Sequence, residues 1–66
     1  MNDSVLYNEL TYKGYSITTY FIDNGNILYY TSVMELNYLS VSFDVDISIE
    51  NARLRIDMEY DYNEYS

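Results

Sequence analysis

The sequence predicts an α+β fold: an antiparallel sheet of three to four strands packed against one C-terminal helix, with an all-β meander as the alternative. Three observations carry this. Two turn signals, Lys13-Gly14 and Asp23-Asn24-Gly25-Asn26, separate runs dense in β-branched and aromatic residues. A further run of that kind follows at Leu39 to Val45. The last third, from Ser48, combines a capping residue with good helix formers. Sixty-six residues without a linker or repeat make one domain, 1–66, near the lower limit for a self-sufficient core.

In chain order, residues 1–4 are a polar lead. Residues 5–12 form the first expected strand, although Asn8 and Glu9 break its alternation. Lys13-Gly14 is a tight turn in which glycine supplies a positive φ. Strands over 15–22 and 27–33 follow, joined by the Asp-Asn-Gly-Asn turn. Ser32-Val33-Met34-Glu35 has the spacing of a capping box. The helix it would open is too short, so 34–38 reads as a connection. Residues 39–45 form the fourth strand, and a helix spans about 48–61.

Two readings compete for 43–62. As strands, Phe43, Val45, Ile47 and Ile49 alternate with polar residues, and so do Leu54, Ile56, Met58, Tyr60 and Tyr62. A turn at Asn51-Ala52 would then set Asp46 opposite Asp57 and Asp44 opposite Glu59, which destabilises a ladder. As a helix, Ser48 is the N-cap and Glu50 sits where the dipole favours an anion. Arg53 and Asp57, and Arg55 and Glu59, are pairs one turn apart. At about 100° per residue, Ile49, Ala52, Ile56 and Tyr60 share one face. Leu54, Met58, Tyr62 and Tyr65 form a second stripe, with Glu50, Asp57, Asp61 and Glu64 between the two.

The run Ser48-Ile49-Glu50-Asn51-Ala52-Arg53-Leu54-Arg55-Ile56-Asp57 resembles the closing helix of many small phage and prophage proteins. The earlier hairpin Tyr12-Lys13-Gly14-Tyr15-Ser16-Ile17 resembles theirs as well. The resemblance implies a sheet closed by a C-terminal helix and no particular activity. It tips the choice toward the helix. A looser echo, in Phe43, Ser48 and Glu50 to Ala52, is similar to the sheet-plus-helix DNA-binding domains of some phage integrases. Those read DNA with a basic sheet, whereas this sheet has Lys13 alone, so the resemblance does not extend to DNA binding.

Eleven acidic residues face three basic ones, for a net charge of −8. Phosphate backbones are bound by neutralising them with Lys and Arg, so direct nucleic-acid binding is not expected, nor is an anionic membrane. A basic protein surface is the complementary partner, although net charge also serves solubility. The chain has no Cys, so neither a disulfide nor a thiolate site can form. No apolar run reaches the roughly 18 residues of a membrane span. The opening MNDSVLYNEL lacks a basic start and apolar core, so the expected compartment is the cytoplasm, that of the host if the chain is phage-encoded. Ten tyrosines are too many to bury in so small a domain, and Tyr favours interfaces.

No enzyme, cofactor or metal is expected. Without His or Cys, acid–base and nucleophilic roles would fall to carboxylates, Tyr or Lys13. Asp44, Asp46 and Glu50 suggest a calcium loop, but the positions that need Gly and Glu hold Ile49 and Arg55. The first functional expectation is a small phage-type inhibitor that occludes a basic, nucleic-acid-binding host defence protein, such as a CRISPR effector or another defence nuclease. Its contact would use the carboxylates of Glu50, Asp57, Asp61 and Glu64 in place of phosphates, with Tyr62 and Tyr65 packed beside them. The alternative is a non-catalytic homodimeric interaction module paired through Leu54, Met58 and Tyr62. A toxin–antitoxin partner is a third class.

Overall fold

The computed structural model describes residues 4–64, with side chains through Tyr62. Four antiparallel strands lie in chain order: β1 (Val5–Tyr12), β2 (Tyr15–Asp23), β3 (Ile27–Val33) and β4 (Tyr38–Ser42). One helix, α1 (Val45–Glu64), packs on one face, chiefly over β3 and β4. This is the α+β arrangement expected, and the meander alternative is set aside.

The β1–β2 turn takes positive φ at both Lys13 (51°) and Gly14 (85°), the backbone of a two-residue hairpin matched to strand twist. In the next turn the Asp23 carboxylate accepts a hydrogen bond from Gly25 N–H at 3.3 Å. The connection expected over 34–38 is one residue shorter, 34–37, because β4 takes Tyr38; it is a short 3₁₀ turn, Met34–Leu36, closed by Asn37 at φ 52°. Asn tolerates that left-handed conformation because its short polar side chain bonds locally. β3 ends at Val33 opposite Ile17, and the Glu35 carboxylate takes the next β2 donor, Ser16 N–H, at 3.2 Å. The broken alternation at Asn8 is a β-bulge: Leu6 pairs with Tyr20 and Asn8 with Thr19, leaving Tyr7 as the extra residue.

Three expectations about α1 are corrected. The strand expected over 39–45 stops at Ser42, and the helix begins at Val45 rather than Ser48. Asp44 is the cap: its carboxylate accepts from Asp46 N–H at 2.9 Å and Ile47 N–H at 3.4 Å. Ser48 lies one turn inside and is fully buried. Both residues are cap formers one turn apart, and the alternation of Val41, Phe43 and Val45 drew the strand too far.

The helix-facing side of the sheet is built in three rows. Ile17 and Val33 form an apolar row that packs on Ala52 and Ile56 to make the buried core. Leu10, Tyr12, Tyr15, Leu36 and Tyr38 pack around it. The next row, Thr19–Thr31–Ser40, carries hydroxyls and is buried under Ser48. The third, Phe21–Tyr29, lies past the helix start. The bulged Tyr7 turns its ring onto both, with centroids 6.3 and 5.4 Å away. Of the face expected to meet the sheet, Ala52 and Ile56 are buried and Ile49 is half-buried, whereas Tyr60 is exposed.

Candidate functional site

Charge is disposed by the fold. Each of the three cations lies against a carboxylate on α1: Lys13 Nζ 2.8 Å from Asp57, Arg55 2.6 Å from Glu59 and Arg53 3.8 Å from Glu50. Arg55–Glu59 is the pair expected, whereas Arg53 reaches Glu50 rather than Asp57. Asp57 is therefore not a free acid on an exposed row. It joins the first hairpin to the helix, accepting from Lys13 and from the Tyr12 hydroxyl at 2.9 Å. Lys13 also lies 4.9 Å from the Tyr60 ring centroid, and Arg53 5.7 Å from that of Tyr12.

These contacts set ionisation. Hydrogen bonds from Lys13 and Tyr12 hold the Asp57 carboxyl below its ordinary range. The Asp57 bond raises Lys13, and it raises Tyr12 too. Glu35 is lowered by backbone N–H groups, its own and that of Ser16. Each shift moves its group away from neutral pH and so away from the poise a general base or nucleophile needs. Among the described residues no three acids, histidines or cysteines come together to hold a metal.

The outer face of α1 carries Glu50, Leu54, Met58, Asp61 and Tyr62, all exposed. Ile47 joins the apolar stripe, 53% exposed, one heptad before Leu54. Sequence reasoning missed it because the helix was started too late. Glu64 falls in the last helical turn, but its side chain lies outside the described residues, as does Tyr65 entirely.

A second surface had not been anticipated. Leu6, Tyr20, Tyr30 and Val41 are register partners, one on each strand, on the sheet face turned away from the helix. Ile22 and Leu28 form the next row, and Leu39 lies one row the other way. Leu6, Tyr20, Leu39 and Val41 are exposed, with nothing above them. The signal was present in Tyr20-Phe21-Ile22 and Ile27-Leu28-Tyr29-Tyr30, which are apolar on both faces, as doubly covered strands are.

No protein family, curated protein or solved structure matches this chain. No described helix is long and apolar enough to cross a membrane.

Proposed function

We propose that this chain is a non-catalytic inhibitor, of the phage anti-CRISPR or nuclease-inhibitor kind, that binds a basic, nucleic-acid-binding host defence protein and occludes it. The observation that carries the reading is the pairing of Lys13, Arg53 and Arg55 with helix carboxylates, which leaves no Lys or Arg side chain among the described residues without an acidic neighbour, and an acid-rich helix facing outward. Asp46 and Asp61 are exposed there, with Glu50 shared with Arg53, beside Ile47, Leu54, Met58 and Tyr62, so carboxylates would stand where phosphates do and apolar side chains pack between them. Charge complementarity of this sort speeds encounter and selects basic partners.

The test is competition. A purified CRISPR effector or restriction nuclease of the host is titrated with the chain in the presence of its DNA. The chain should displace DNA, and Glu50→Gln with Asp61→Asn should weaken it, as should added salt. A ternary complex in which DNA stays bound would sink occlusion. The open sheet face favours a second reading, a homodimeric accessory module.

A further inference from the structure

The geometry points to the uncovered sheet face as a self-association surface, closed by the same face of a second copy. This goes beyond the occlusion reading, which uses the outer face of the helix.

The face is apolar at its centre. The Leu6–Tyr20–Tyr30–Val41 row crosses all four strands, with Ile22 and Leu28 beside it and Phe43 bordering that end. Phe43 is 71% exposed. A half-covered antiparallel sheet ordinarily turns polar side chains to water. Here polar residues flank the centre instead: Ser16, Thr18 and Ser32, with Met34 among them, at one end, and the turn residues Asn24 and Asn26 at the other.

Charge identifies the occupant. On a chain of net charge −8, the described acids bordering this face are Glu9 and Glu35, both at the Ser16–Thr18 end, and Glu35 is occupied by Ser16 N–H. A basic partner finds only Glu9 to pair with here, at one end, and is directed to the more acidic helix. A second copy meets no like charge across the centre. A two-fold axis running across the strands places each copy's carboxylate end over its partner's Ile22–Leu28 end, so the acids stay apart. A twisted four-stranded face is also matched in shape by another such sheet, packed in aligned fashion.

Area fixes the strength. Four strands spaced about 4.8 Å, over about seven residues at 3.3 Å each, give a face of roughly 400 Å². Two copies remove roughly 800 Å², below the about 1,200 Å² at which stable interfaces begin, so the pairing is reversible. Because each copy is strongly acidic, salt strengthens it by screening their overall repulsion.

Sedimentation equilibrium from micromolar to millimolar chain tests this. The wild-type weight-average mass should climb from one chain toward two, more steeply in high salt. Val41→Lys, on the β4 edge, should stay at one chain with an unchanged far-ultraviolet spectrum. Leu54→Asp, on the helix, should associate as wild type does. If Val41→Lys disturbs the fold, amide shifts of the wild type on dilution replace it, and they should concentrate in residues 6, 20, 28, 30 and 41. A one-chain mass at every concentration would hand the face to a different protein and overturn the inference. So would association abolished by Leu54→Asp, or dilution shifts confined to 47–62.

Discussion

Ser48 Oγ lies 2.7 Å from Thr31 Oγ1, in a buried line of hydroxyls that fixes where the helix sits on the sheet. Thr31 Oγ1 is also 3.1 Å from Thr19 Oγ1, Ser48 Oγ is 3.3 Å from the Ser40 carbonyl, and Asn51 donates to Ser40 Oγ. Every member has a partner, so the line is compatible with a dry contact. Ser48→Ala should cost about 1–3 kcal/mol, since it removes one partner and leaves others buried. Adding Thr31→Val should cost less than the sum of the two single changes. A urea denaturation cycle measures this, and strict additivity would show that the hydroxyls act independently.

The Lys13–Asp57 contact predicts pH dependence on both sides of neutrality. Asp57 and Glu35 have lowered folded values, so their contribution is present above the ordinary carboxylate range and is lost as pH falls through the folded values. Lys13 and Tyr12 are raised, so theirs is present below their ordinary values and is lost as pH rises through the folded ones. The urea midpoint should therefore plateau between the two arms. Asp57→Asn should flatten both arms, whereas Glu35→Gln should flatten the acid arm alone.

Lys13 holds a left-handed backbone that Asn would adopt more readily. Lys13→Asn should nonetheless lower the thermal midpoint of the wild type, because it removes the cation from Asp57. In an Asp57→Asn background the same change should raise the midpoint. An equal increase in both backgrounds would mean that the ion pair contributes nothing to the hairpin.

Four buried apolar side chains make the core, so each carries a large share. Ile56→Ala should cost about 2–5 kcal/mol. In a domain this small, where the core supplies roughly 3–5 kcal/mol, that should leave much of the chain unfolded at room temperature. Ala52→Leu should also destabilise, by about 1–3 kcal/mol, since the helix meets the sheet across a methyl group. Chemical denaturation distinguishes these outcomes from a tolerant, loosely packed core.

The sheet could be read because its punctuation is local. Gly14 and Gly25 mark their turns, and the β-branched and aromatic runs between them have no competing period. The helix could be read from Ala52 and its charged neighbours, but its start could not. Asp44 and Ser48 carry the same capping signal, and only the burial of Ser48 against Thr31 separates them. Asp57 was misplaced for a similar reason: a helix wheel shows direction but not that Lys13 of a distant hairpin arrives there. The open face escaped notice because Tyr20 and Tyr30 count as apolar or polar according to what lies above them.

Deleting Tyr7 should be tolerated. The bulge places Tyr7 and Asn8 toward the same side, so its removal leaves Val5 and Leu6 on their present faces and the Leu6–Tyr20 pairing intact. The loss should be that of one aromatic contact set, about 0.5–1.5 kcal/mol beyond its buried area. Cross-strand NOEs between residues 6 and 20 check the register. Their disappearance would show that the bulge sets the pairing of the whole strand.

Each strand lies beside the one before it in the chain, and the helix follows directly on the last strand it covers. Assembly can therefore proceed by successive short closures, each with little chain entropy to overcome, until the helix docks on the sheet and joins Ile17 to Ile56. The bond from Tyr12 to Asp57 departs from that rule, bridging 45 positions. It can form only after the hairpin and the helix both exist, so it is expected among the last contacts made, and Tyr12→Phe tests this by its effect on folding and unfolding rates. Its physical effect is then on lifetime: it slows escape from the native state while leaving the speed of arrival almost unchanged.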